Sequence, residues 1–236
     1  QTLAVDTGEV FITRAEAAAL DPQQYYVDLE HAFVTLRPGA GWEDMETLTV
    51  AEDLAERGAD CLALCDEPVF RLRHGQPLLV TSDRSTTING SPIPADILGA
   101  SEALYGPPPW ENPVHDQWVL NIFTHSSLEA YGIHSLPDLV VFMTSNSLDR
   151  LYRLVAPAGD SFAIVQLTSD YDNILIDGQA GRLTVDSWMY FAEAPQAYYM
   201  IEITYLAQGG GEIQVWEDLQ TYIDQFRIIN DDSDMP

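Results

Sequence analysis

Short apolar runs, broken every few residues by Pro, Gly, Asn or Asp, recur along the chain, and this punctuation predicts a β-rich protein. Gly8–Thr13 reads as a short strand, and the Ala-rich stretch Arg14–Leu20 as a helix that Asp21-Pro22 stops. Ala32–Leu36 is apolar and β-prone, closed by Pro38-Gly39. Thr49 followed by Glu52 has the spacing of a capping box, predicting a short helix over Val50–Arg57 that Gly58 ends. Three runs follow, Cys61–Cys65, Val69–Arg73 and Pro77–Ser82, parted by Asp66-Glu67-Pro68 and His74-Gly75-Gln76 in the manner of a meander or small barrel. Val69–Arg73 alternates, so one face is apolar and the other carries Arg71 and Arg73.

Farther on, Trp118–Phe123, Leu139–Met143, Leu151–Val155, Phe162–Leu167, Arg182–Val185 and Tyr198–Leu206 all read as strands. Ile213–Phe226 instead spaces Val215, Trp216, Leu219, Tyr222, Ile223 and Phe226 at helical intervals, an amphipathic helix able to cover one sheet face. Between these regions, residues 92–115 crowd six prolines together with Tyr105 and Trp110, the composition of an extended, packed linker. The expected class is α+β, β-rich. Its expected organisation is a lead-in (1–31), a small β-rich domain (32–91), the Pro-rich linker (92–115), an antiparallel sheet domain with a C-terminal helix (116–230) and an acidic tail (231–236).

Two segments resemble known families. Residues 32–91, with their succession of strand, Gly turn, strand and Thr-rich strand, resemble the FecR-like β-domains of bacterial extracytoplasmic proteins; the resemblance carries no functional residues. The C-terminal half combines the hairpin segment Asp177-Gly178-Gln179-Ala180-Gly181-Arg182, the strand Tyr198–Leu206, a helix and Phe226-Arg227-Ile228. It resembles PsbP-type domains, which implies an extrinsic accessory on a membrane complex, although this sequence lacks that family's basic surface.

Charge narrows the functional classes. The chain of 236 residues carries 37 acids against 10 bases, a formal net charge of −27, and every base is Arg. Binding to nucleic acid or to an anionic membrane surface is disfavoured, since both rest on Lys and Arg neutralising phosphate. Schiff-base and P-loop chemistry is excluded without a lysine. No stretch reaches the ~20 apolar residues of a membrane helix, so no membrane insertion is expected. The start at Gln1 reads as a processed N-terminus, giving the expectation of a secreted or cell-surface protein.

Candidate chemistry is sparse. Asp170, Asp172, Asn173 and Asp177 offer oxygen ligands in a turn-like stretch, which makes calcium the most plausible ligand, though the spacing is not an EF-hand. Cys61 and Cys65 lean towards buried thiols on a strand, where ~13 Å would part them; in a tight turn they could instead form a disulfide. His115, His125 and His134 fall close together with Asp116 and Glu129, but in no metal-binding spacing. Ser126 and Ser127 adjoin His125 without a nucleophile elbow. On strands, Trp188 and Tyr190 share a face with Phe191 opposite, so the sheet is either covered on both sides or adhesive. The expectation is a non-enzymatic extracytoplasmic structural or interaction protein, a subunit of a filament or layer or an accessory of a membrane complex, associating with itself or with other surface proteins. The alternatives are a monomeric calcium-stabilised binding module and a secreted hydrolase.

Overall fold

The computed structural model describes residues 11–37, 39–56, 60–82, 87–88, 91–92, 112–145, 151–159, 162–209, 221 and 223–230. They divide into two compact units. One takes residues 1–44 with 215–236; the other takes residues 45–214.

The strands of the first unit are β1 (Phe11–Thr13), β2 (Tyr25–Asp28), β3 (Phe33–Leu36) and β13 (Arg227–Asn230). They form a four-stranded sheet in the order β1-β13-β3-β2. Segments far apart in sequence meet here, because β1 runs parallel to β13. Helix α1 (Arg14–Ala18) starts directly after β1 on a full capping box, in which Thr13 and Glu16 satisfy each other's backbone N–H. Ala17, Val34 and Ile229 form the core of this unit, and Phe33 stacks on Phe226 at 6.2 Å. The expected C-terminal helix over 213–226 lies mostly outside the described residues, as does the tail 231–236.

The strands of the second unit are β4 (Glu46–Thr49), β5 (Pro68–Ser82), β8 (Asn112–Thr124), β9 (Leu151–Gly159), β10 (Phe162–Ile176), β11 (Gln179–Glu193) and β12 (Ala197–Gln208). They make a seven-stranded sheet ordered β4-β5-β8-β12-β11-β10-β9, and helix α2 (Val50–Glu56) follows β4 directly. A small ladder, β6 (Thr87–Ile88) with β7 (Ser91–Pro92), stands apart. The far end of β10 also pairs with β5, through Ile174–Ser82 to Ile176–Val80, so five strands close into a ring. Closure removes sheet edges that would otherwise invite pairing with other chains.

The expected boundary at 92–115 therefore does not separate two domains. Strands β5 and β8, on either side of it, are neighbours along nearly their whole length. Residues 93–111 lie outside the described residues. The runs Val69–Arg73 and Pro77–Ser82 are one strand, with Gly75 at φ +73° where β5 gains two residues on β8. A left-handed backbone there is open to Gly at little cost, which is why the break in the sequence is a bulge and not a turn.

Leu139–Met143 is helical, a correction to the strand reading. Helix α3 (His125–Glu129) follows β8, and helix α4 (Leu136–Ser145) comes after it. Helix α4 begins just after Ser135, whose Oγ donates to the Asp138 carboxylate at 2.8 Å and accepts the Asp138 N–H. The Ser-Leu-Pro-Asp start, with Pro in the first turn, outweighs the β-branched run that follows. Helices α3 and α4 cover one sheet face, burying Leu128, Leu136 and Leu139 against Val165, Leu167, Met189, Phe191, Tyr198 and Met200. The opposite face buries Phe70, Leu72, Trp118, Leu120, Ile201, Ile203, Trp188 and Tyr190. Both faces are covered, so the aromatic residues of β11 and β12 are core.

Candidate functional site

Buried charge collects at two places in the second unit. The first is built by β4, β5 and helix α2, which forms over the expected stretch because Thr49 and Glu52 close the expected capping box. The cap fixes the helix so that Asp53 and Glu56 turn towards β5. There Arg71, fully buried, donates to Glu46 at 2.8 Å, to Asp53 and to Glu56 at 2.6 Å. Arg73, two residues on and on the same face, bonds Glu56 at 2.8 Å and Glu46 at 3.4 Å. Three carboxylates thus enclose two guanidinium groups, and the planar fork of Arg71 bridges strand to helix. Burial alone would lower Arg71 and raise Glu56. The bonds outweigh it: Glu46 and Glu56 hold the Arg71 pKa above its ordinary value, and Arg71 and Arg73 hold that of Glu56 below its own.

The second place is the face of β11 away from α3 and α4. The Asp186 carboxylate, buried, accepts Gln166 Nε2 on both oxygens at 2.9 and 3.1 Å. It also accepts Thr168 Oγ1 at 2.8 Å and the Trp188 indole N–H at 2.9 Å. Four bonds from three donors fill its lone pairs, the arrangement that stabilises a buried anion. Tyr205, opposite Asp186 in the ladder, is fully buried with a hydroxyl that has no hydrogen-bond partner among the described residues. Burial first, and then the charges of Asp116 and Asp186, raise its pKa far above the ordinary phenol value. It stays neutral.

Of the expected calcium ligands, Asp170 and Asp177 do not converge. Asp170 lies on β10, where it accepts the Thr184 hydroxyl at 2.6 Å. Asp177 sits at the tip of the β10–β11 hairpin, roughly 20 Å of strand away, and accepts the Leu79 N–H at 3.2 Å. The segment is a strand carrying a bulge, since β10 gains one residue on β11 between Tyr171 and Ile174. The side chains of Asp172 and Asn173, within that bulge, lie outside the described ones. Among the described residues no cluster of three His, Cys, Asp or Glu could hold a metal ion. His115, His125 and His134 are likewise not gathered: His115 is on β8, His125 opens α3 against the Tyr198 ring at 4.5 Å, and His134 precedes α4. Ser126 and Ser127 hydrogen-bond Thr124, whose hydroxyl caps α3.

Cys61 and Cys65 are joined by a disulfide with Cα atoms 5.8 Å apart. Their segment turns and is not extended, with Leu64 at φ +57°, which corrects the strand-and-thiol reading and brings the two sulfurs within reach. The loop they close holds Leu62 out into solvent, 91% exposed, while Leu64 packs towards the core under α4. The Leu64 N–H meets the Tyr131 hydroxyl at 3.4 Å. A shallow cleft beside the Asp177-Gly178 turn is lined by Gln179, Arg182 and Gln208, with one acid and one base at its rim.

No protein-family model matches the chain, and no curated protein matches it in sequence. Strand alternation places Arg71 and Arg73 on one face, and the Thr49–Glu52 spacing caps α2. Neither pattern reveals Glu46 and Asp53 as partners of Arg71, Asp186 as a buried anion or Leu62 as a projecting side chain. The one usable signal was an alternating basic strand close in sequence to a capped acidic helix.

Proposed function

We propose that the protein is a non-enzymatic, extracytoplasmic interaction protein, a subunit of a cell-surface assembly or an accessory of a membrane complex. The observation that carries this reading is how its buried charged side chains are engaged. Buried Arg71 and Asp53 bind each other within a cluster that also engages Glu46 and Glu56, and buried Asp186 accepts four hydrogen bonds from its own neighbours, so these groups are committed to structure. What remains for contact is an intensely anionic surface. The Cys61–Cys65 disulfide supports an oxidising compartment. No helix among the described residues is long and apolar enough to cross a membrane.

Copies carrying −27 repel one another unless cations intervene, so self-association is expected to grow with divalent cation and to collapse at low salt with a chelator. Light scattering across protein concentration, with and without calcium or magnesium, tests this. A monomer under every condition removes the self-assembling form of the reading.

A further inference from the structure

We infer that the Cys61–Cys65 loop, with the adjoining surface of α3 and α4, is a docking site for a basic amphipathic segment of a partner protein, apolar on one face and rich in Arg or Lys on the other. The inference rests on the interaction-protein reading and names its partner class. Leu62 is the anchor. At 91% exposure it is the most exposed of the large hydrophobic residues described, and it does nothing for the fold. Leucine held in water by a covalently closed loop is pre-organised to pack against an apolar face, because little conformational freedom is left to lose on binding. Contact through one projecting apolar residue is how many interfaces concentrate their affinity.

The loop is not an isolated protrusion. Its Leu64 packs over the same core as Val140, Phe142 and Met143 of α4, and its backbone meets the Tyr131 hydroxyl. Tyr131, 47% exposed in the turn between α3 and α4, and Val141, 63% exposed on α4, add apolar surface.

Charge selects the partner. Residues 60–67 and 125–145 contain Asp60, Asp66, Glu67, Glu129 and Asp138 but no Arg. Hydrogen bonds from the Ser135 hydroxyl and the His134 N–H hold the Asp138 pKa below its ordinary value, which favours its charged form. An apolar anchor on segments that carry five acids and no Arg disfavours a second copy of this chain and favours a cationic face.

The test uses a short helical peptide with leucine on one face and lysine on the other, titrated by fluorescence anisotropy, with oligolysine of equal charge as the control. Binding of the leucine–lysine peptide is expected to exceed that of oligolysine, and Leu62→Ser is expected to weaken it about tenfold, the size of a single interface anchor. Leu62→Met should retain it, and both variants should melt like the wild type, since Leu62 is not packed. Equal binding by oligolysine, or an unchanged affinity in Leu62→Ser, overturns the site while leaving cation-dependent assembly intact. Loss of self-association in Leu62→Ser, measured by light scattering, also overturns it, because the loop would then contact another copy.

Discussion

Arg71 shows how a single side chain can hold an acidic protein together. Removing it by Arg71→Met would leave Glu46, Asp53 and Glu56 facing each other without their shared cation. Breaking a buried ion pair from one side costs about 3–5 kcal/mol, and chemical denaturation should show a loss of that order. Glu56 gives the pH signature. Its pKa is held below the ordinary 4.5, so its contribution is present above that value and is lost as pH falls through the lowered one. The stability difference between wild type and Glu56→Gln should therefore be positive at neutral pH and shrink on acidification below about 4.5; a difference that grows in acid contradicts the pairing. Asp186 offers a second check. In Asp186→Asn an amide would face Gln166, Thr168 and Trp188, at least one of which loses its acceptor. A loss of about 1–3 kcal/mol is expected, with a shift in Trp188 fluorescence as the indole N–H loses its carboxylate.

At the scale of elements, the disulfide is a modest brace. Its loop spans only four residue steps, so in the chain-entropy account replacing both cysteines by serine costs about 2 kcal/mol, readable as a lower melting temperature under oxidising conditions. The elements also show what a sequence displays and what it conceals. Helix caps are local, and Thr49–Glu52 predicts α2 because both partners lie within one turn. Hairpin turns are local too: Asp177 and Gly178 both take positive φ, as a two-residue turn between β10 and β11 requires. The same locality explains the misreading of α4, where Ser135 and Asp138 give the start signal while the Val140-Val141 pair argues for a strand. Ring closure was out of reach, since it rests on Ile174–Ile176 meeting Val80–Ser82 across some ninety residues. So was the Arg71 site, whose carboxylate bonds depend on where β4 and α2 come to lie.

Over the whole molecule, two electrostatic effects with opposite salt responses compete, and their balance can be measured. The surface repels itself, because 37 acids face 10 arginines. The Arg71 cluster attracts, and its central Arg71–Asp53 pair is buried, where charges are screened far less than on the surface. Raising potassium chloride from about 0.01 M to about 1 M shortens the screening length from about 30 Å to about 3 Å, which switches off repulsion between distant surface carboxylates. The Arg71–Asp53 contact stays largely intact. Melting temperature should therefore rise with salt, and rise most steeply at the dilute end, where the screening length is greatest. In Arg71→Met the rise should be steeper, because Asp53 loses its cation and Arg73 alone is left to balance Glu46 and Glu56. A melting temperature that falls with salt in the wild type would mean that exposed ion pairs outweigh self-repulsion, and with it would go the view of this surface as poised to receive cations or a cationic partner.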